Sequence, residues 1–337
     1  GIMQNEWAAS QSFSSFDTYL APFVKADSLS YDKVKKCMEA FVFGVNTPSR
    51  WGTQAPFSHI SMDFKVPKDM AGEKAIVGGK KMGFTYGECQ DEMDMVNQAF
   101  LETMLEGDAN GQGFQYPIPS YGINADFDWS DTEQNRLLFS LASRHGTPYF
   151  INYVRGGAVQ GEDRVTYGDD SRDLRVLHKK AGGFFGYGEH TGAVGVVTVN
   201  LPRIAYQSRN EDEFYGKLDH MMDVSARSLD IKRRVVGNLL KGGLYPYTAC
   251  YLEDFSHHFS SIGVIGMNEA GLNASWLKAG MESEQTRRFA EDVLNHMREK
   301  LVGYQLEYGT LYGLEATPAE SATFRFARLD RERFPAL

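Results

Sequence analysis

Apolar residues recur at three- and four-residue intervals in four long stretches of the chain. Such spacing places them on one face of a helix. Tyr31–Val45 carries Val34, Cys37, Met38, Phe41 and Val42 in this way, and Pro48 stops it. Thr85–Leu105 carries Met93, Val96, Phe100, Met104 and Leu105. The longest helix is predicted over Glu211–Lys241, with Phe214, Leu218, Met221, Met222, Leu229, Val236 and Leu240 inward and Gly242-Gly243 as its stop. Glu282–Tyr308 is the fourth, and a shorter helix capped by Asp131 runs to about Arg144. Between these stretches lie strand patterns. Ser58–Phe64 alternates, with Ile60, Met62 and Phe64 on one face. Phe114–Pro119, Tyr149–Val154, Leu311–Glu315 and Thr323–Phe326 read as further strands. Val194–Val199 is nearly continuous apolar and β-branched, the pattern of a strand buried on both faces. Met70–Lys81 reads as a Gly- and Lys-rich loop, and residues 155–192 as the least regular part. Strands alternating with helices predict an α/β fold with a parallel or mixed sheet. Residues 1–30 are weakly patterned and read as an N-terminal extension. With no clear linker after it, residues 31–337 read as a single domain.

Composition narrows the function classes. Charged residues make up 23% of the 337, and the net charge is −9. An acidic balance argues against a general nucleic-acid surface, which needs clustered Lys and Arg, but leaves room for a small nucleotide site. No run approaches the ~18 apolar residues of a membrane span. The N-terminus lacks a signal-peptide pattern, so the expected location is the cytoplasm. The three cysteines, Cys37, Cys89 and Cys250, are far apart with no CxxC pair. That excludes a disulfide scaffold and a sequence-local zinc site, and no metal is expected within this chain.

Candidate chemistry gathers after the longest helix. Gly243–Leu252 makes a Gly/Pro/Tyr turn that holds Cys250, followed by His257, His258 and an apolar run that ends in polar Asn268 and Glu269. A thiol in a tight loop between a helix and a strand can be shielded while its sulfur points into a cavity. Adjacent histidines on an extended chain point to opposite sides, so the pair is weak as a metal site. Thr317-Pro318-Ala319-Glu320-Ser321 reads as a helix start, with Thr317 as cap and Pro318 at the first helical position. Exposed N–H groups there can receive an anion, with Ser321 and the amides near Ala319 as donors and Glu320 closing the cap.

The segment from Gly243 to Ala270 resembles the finger-loop region of the anaerobic (class III) ribonucleotide reductases. So do, in the same order, Gln54–Phe57, Glu106-Gly107-Asp108, Pro117–Tyr121, Phe127-Asp128-Trp129, Thr198–Arg203 and Leu314–Glu320. The resemblance spans about Phe41 to Pro335. It implies a ten-stranded α/β barrel with the finger loop threaded through its centre, and anaerobic reduction of ribonucleoside triphosphates for DNA precursor synthesis. Cys250 would carry the thiyl radical, with Asn268 and Glu269 beside the ribose or the finger loop. Ser58 and His59 on the first strand, and Thr317–Ser321 at the phosphates, would bind substrate. A glycyl radical supplied from outside this chain by a radical-SAM activating enzyme, deoxynucleotide and ATP effectors, and a homodimer are implied as well.

Three departures from the family pattern follow. The first strand reads Ser58-His59-Ile60-Ser61, and Glu162–Arg172 has no cysteine, so a reductant dithiol is not expected. Formate-type reduction would need only one cysteine, but Ser256-His257-His258 stands where the family has an asparagine. The sequence ends at Leu337 without the glycyl-radical and zinc segment, and no ATP-cone precedes Tyr31. The expectation is a barrel core inactive by itself. Its alternatives are a non-catalytic nucleotide-binding paralogue, or another glycyl-radical enzyme acting on a non-nucleotide substrate.

Overall fold

The structure is a computed structural model, and it describes residues 1–7, 10–49, 55–123, 127–152, 192–316 and 320–335. The chain divides into two compact units, one holding the described residues up to Asn152 and the other those from Ala193 onward.

The first unit contains α1 (Ile2–Asn5), β1 (Ser10–Phe13), α2 (Phe16–Ala26), α3 (Tyr31–Val45), β2 (Phe57–Met62), α4 (Lys68–Ala71), β3 (Lys74–Val77) and β4 (Lys80–Thr85), then α5 (Gln90–Glu106), β5 (Ile118–Ile123), α6 (Glu133–His145) and β6 (Tyr149–Asn152). Strands β6, β5, β2 and β1 lie side by side in that order, each pair parallel. The stretch read as an extension therefore supplies β1 and α2 to this unit, and Trp7, Ala21 and Val24 are buried. Met70–Lys81, read as a loop, instead forms most of the β3–β4 hairpin. Gly78 and Gly79 turn it with φ of +57° and +76°, angles that favour glycine.

Helices α3, α5 and α6 pack Val34, Met38, Val42, Val96, Phe100, Leu101, Leu138 and Leu141 against Ile60, Met62, Tyr121 and Ile123 of the sheet. Side chains alternate along a strand, so His59 and Ser61 of β2 and Ser120 of β5 fall on the opposite face. One face of the sheet thus makes the helix-packed core, and the other carries imidazole and hydroxyl groups.

The second unit contains β7 (Gly192–Asn200), α7 (Leu201–Tyr206), α8 (Glu211–Lys241), α9 (Pro246–Tyr251), β8 (His258–Ile265), α10 (Met267–Asn273), α11 (Glu284–Tyr308), β9 (Tyr312–Ala316) and α12 (Glu320–Arg333). Strands β7, β8 and β9 are neighbours in that order, and β8 and β9 are parallel. Phe214, Leu218, Met222 and Leu229 of α8 and Phe289, Val293, Met297 and Leu301 of α11 cover Val199, Ile262 and Tyr312. Val196, expected to be buried, is exposed, as is Met221 of α8. Thr323–Phe326, which alternates like a strand, lies inside α12. Among the described residues no helix is long and apolar enough to cross a membrane.

Candidate functional site

The candidate residues fall in both units, and each set is built separately. In the first unit His59 sits in the middle of β2, 7% exposed. Its Nδ1 pairs with the Ser12 hydroxyl of β1 at 3.2 Å and its Nε2 with the Ser120 hydroxyl of β5 at 2.8 Å. The imidazole therefore bridges three adjacent parallel strands. Burial pushes its pKa down to about 4, so the ring is neutral at pH 7, one nitrogen donating and the other accepting. Next to it, Ser61 accepts a hydrogen bond from the Ser15 amide at 3.0 Å. Ser58 is also buried, but by alternation it shares the face of Ile60 and Met62. Its hydroxyl has no hydrogen-bond partner among the described residues. Of the two adjacent candidates, only His59 belongs to the polar face.

In the second unit Cys250 lies on α9, not in an irregular turn. Pro246 at the first helical position starts this helix, and the backbone is helical to Tyr251. Thr248 is its one buried residue, while Tyr247, Cys250 and Tyr251 are exposed. The expected shielding of the thiol is therefore not provided by α9 itself: a helix with a single inward residue leaves the rest of its side chains outward. Asn268 and Glu269 open α10. The Asn268 Oδ1 accepts from the Met281 amide at 2.9 Å, and Glu269 is exposed. Of the phosphate candidates, Thr317, Pro318 and Ala319 lie outside the described residues, and Glu320 and Ser321 are the first residues of α12.

Two structural groups here were not singled out in the sequence. Glu315 of β9 lies diagonally across from Ser261 of β8, whose hydroxyl donates to it. Burial holds the Glu315 carboxyl above the usual carboxylate range, against the lowering effect of that bond. Its signal was alternation: Gly313 and Glu315 share one face, and Tyr312 and Leu314 pack into the helix-side core. Asp330 of α12 is the second. Its carboxylate accepts from Arg203 Nε at 2.5 Å and from Asn200 Nδ2 at 2.9 Å. Asn200 also caps α7 through the Arg203 amide, so the Thr198–Arg203 segment pins the helix that begins at the phosphate candidate. A further tight approach joins the same segment to the end of β8. Gly266 has φ +73°, and a Cβ there would meet Pro202 Cγ at 2.3 Å. Among the described residues no cluster of three metal-ligating side chains occurs.

A family model described as "Anaerobic ribonucleoside-triphosphate reductase" matches residues 1–337, the whole of this sequence. The chain belongs to that family. The reductase of Haemophilus influenzae is 28% identical over 264 residues, covering 71% of this chain and 36% of the relative. Two crystal structures of the Thermotoga maritima anaerobic ribonucleotide reductase share the fold. One, with citrate in its active site, has a TM-score of 0.69 at 21% identity and covers 97% of this chain and 59% of its own. The other, in complex with dATP and CTP, has a TM-score of 0.69 at 20% identity and covers 99% of this chain and 55% of its own. The chain spans between 32% and 55% of the length of the curated reductases it matches. Several family-like segments meet in space within a unit: Pro202 presses on Gly266, and Asn200 and Arg203 hold Asp330 beyond the Leu314–Glu320 segment.

Proposed function

We propose that this chain is the core of an anaerobic ribonucleoside-triphosphate reductase. The observation that carries the reading is the family match over residues 1–337, which takes in the Cys250 segment and the two motifs packed around Gly266. The finer architecture proposed with it is a single catalytic domain, a ten-stranded α/β barrel with the Cys250 segment as its finger loop.

In this reading Cys250 carries the radical. A glycyl radical from outside residues 1–337 would supply the one-electron oxidising power to the Cys250 thiol, which is exposed on α9. As a thiyl, Sγ would take the hydrogen atom from C3′ of the ribose. The 2′-hydroxyl then leaves as water with a proton, a two-electron reductant from outside these residues (formate, oxidised to CO2, or a dithiol, oxidised to a disulfide) reduces the ribose, and Sγ returns the hydrogen to C3′. The weak S–H bond makes both transfers possible at one atom. His59, neutral and fixed at both ring nitrogens by Ser12 and Ser120, is the first unit's candidate for binding substrate. Asn268, whose Oδ1 accepts from the Met281 amide, and the exposed Glu269 beside it are the proposed contacts to the ribose or the finger loop. Backbone amides of Thr317–Ser321 receive the triphosphate, with Glu320 closing the cap. A ribonucleoside triphosphate substrate, deoxynucleotide and ATP effectors, a radical-SAM activating enzyme and a homodimer complete the proposal. The dATP and CTP bound by the Thermotoga protein support the nucleotide classes.

The test is Cys250→Ser in the reductase assay with the activating partner and without oxygen. Turnover should fall to background, because a hydroxyl O–H bond is too strong to hold and return the radical. Retained turnover would show that Cys250 is not the radical carrier.

A second reading, a nucleotide-binding paralogue without chemistry, is favoured by one observation. No second thiol stands on a described strand. Cys37 is on α3, and Cys89, just ahead of α5, is buried with its thiol pushed up to about 11. In that case nucleotides bind but no preparation turns over.

A further inference from the structure

The segment carrying Cys250 buries few of its own side chains. From Gly242 to His257 only Tyr245, Thr248 and Phe255 are buried, and Leu244, Tyr247 and Tyr251 are exposed. Its backbone bonds include local ones: Leu252 and Glu253 amides to the Thr248 carbonyl, Ser256 to the Asp254 carboxylate, and His258 to the Phe255 carbonyl. Glu253 also takes a left-handed conformation with φ +63°, which a side chain rarely adopts.

One side chain reaches across it. Arg233 lies on α8, ahead of the segment. Its Nη1 donates to the Phe255 carbonyl at 2.8 Å, and its Nη2 donates to the His258 carbonyl at 2.5 Å and to the Ser260 hydroxyl at 3.2 Å. These acceptors are 22, 25 and 27 residues further along the chain, so the bonds close a loop with Cys250 inside it. The planar fork of the guanidinium can meet both carbonyls at once, and a charged donor makes the stronger kind of hydrogen bond. Arg233 feels the charge of Asp230 one turn back on α8, and its buried Nε finds no acceptor among the described residues. Burial depresses its pKa to about 10. The desolvated guanidinium is held by its three hydrogen bonds to the far end of the segment.

We propose that Arg233 is a positioning residue for Cys250, a clamp that fixes the exit of the Cys250 segment against the helix that enters it. The inference rests on the Cys250 reading above. Arg233→Ala removes both carbonyl bonds. Arg233→Lys keeps the charge but replaces the fork with a single nitrogen, and keeps the test alive if the alanine variant does not fold.

Both variants are assayed beside Cys250→Ser in the full reductase with its activating partner. Arg233→Lys is expected to lower kcat at least tenfold with KM within twofold, since substrate contacts remain. In the chain alone, amide exchange over residues 246–258 should accelerate while β9 and the first half of α8 keep their protection. Iodoacetamide labelling of Cys250 should change against the exposed Cys37 as an internal reference. If Cys250→Ser abolishes turnover while both Arg233 variants keep wild-type kcat and local exchange, the clamp is wrong and the radical reading stands. If Cys250→Ser retains turnover, the radical reading fails and the positioning role falls with it. Exchange that accelerates equally throughout the unit would reduce Arg233 to general stability and overturn the proposal.

Discussion

Asp17 shows how one residue can set a pH dependence that no sequence pattern announces. It is in the first turn of α2 and fully buried. Its carboxylate accepts from the Asp63 amide at 2.9 Å, the Phe64 amide at 2.8 Å and Asn97 Nδ2 at 2.9 Å. It thereby holds the chain just past β2, where Phe64 takes a φ of +66°. Burial first, and then the neighbouring Asp63 charge, raise its pKa from 3.8 to about 6, although the hydrogen bonds pull the other way. A folded-state pKa above the unfolded value means that the native protein binds the proton more tightly. The stability from that proton is fully present below about pH 4 and is lost as pH rises through about 6. Urea unfolding of the native chain and Asp17→Asn at pH 4, 5, 6 and 7 should show their stability difference shifting against the native chain with rising pH. The change should total roughly 1–3 kcal/mol. A difference independent of pH would mean that Asp17 titrates normally. Nothing in residues 1–30 signalled this: a lone aspartate in a weakly patterned stretch looks like surface until a partner strand buries it.

Elements with long periodic patterns were legible because their packing repeats. The expected limits of α3 and α8 match the observed Tyr31–Val45 and Glu211–Lys241, since one apolar stripe faces one core in each. Short elements were not, for particular reasons. Thr323–Phe326 alternates, yet Phe324 is 71% exposed and the segment is helical, so local β-propensity yielded to the helix anchored by Asp330. The β3–β4 hairpin was hidden because lysine content was weighed above the Gly78-Gly79 turn. The Gly266 junction was also invisible in one dimension, as its constraint comes from Pro202, distant in sequence. Gly266→Ala must accept a left-handed φ and displace a proline ring that cannot rotate away. Those two costs together should lower stability by about 2–4 kcal/mol in urea unfolding. A loss below ~0.5 kcal/mol would mean that the β8–α10 junction relaxes freely.

At the scale of the whole molecule the proposed reading requires that the chain recognise nucleotides. The sequence placed the candidate residues in order along the chain but could not show which of them share a face. That is why Ser58 and His59 were read together although alternation separates them, and why Arg233, Glu315 and Asp330 were passed over: their roles depend on neighbours 22 or more residues away. Ligand linkage tests the ensemble without assuming turnover. A nucleotide that binds only the folded chain adds about 2.7 kcal/mol at ~100 times its dissociation constant. Melting without oxygen, with each ribonucleoside and deoxynucleoside triphosphate in turn, should give a rise in Tm of a few degrees that is selective among bases. Inorganic triphosphate serves as the control for charge alone. Equal stabilisation by inorganic triphosphate would reduce the effect to an anion site at the start of α12. No rise with any nucleotide would remove recognition from this chain and leave the family relationship as shared ancestry. A selective rise that survives Cys250→Ser would separate binding from radical chemistry, because in the proposed reading the thiol transfers hydrogen and does not hold the phosphates.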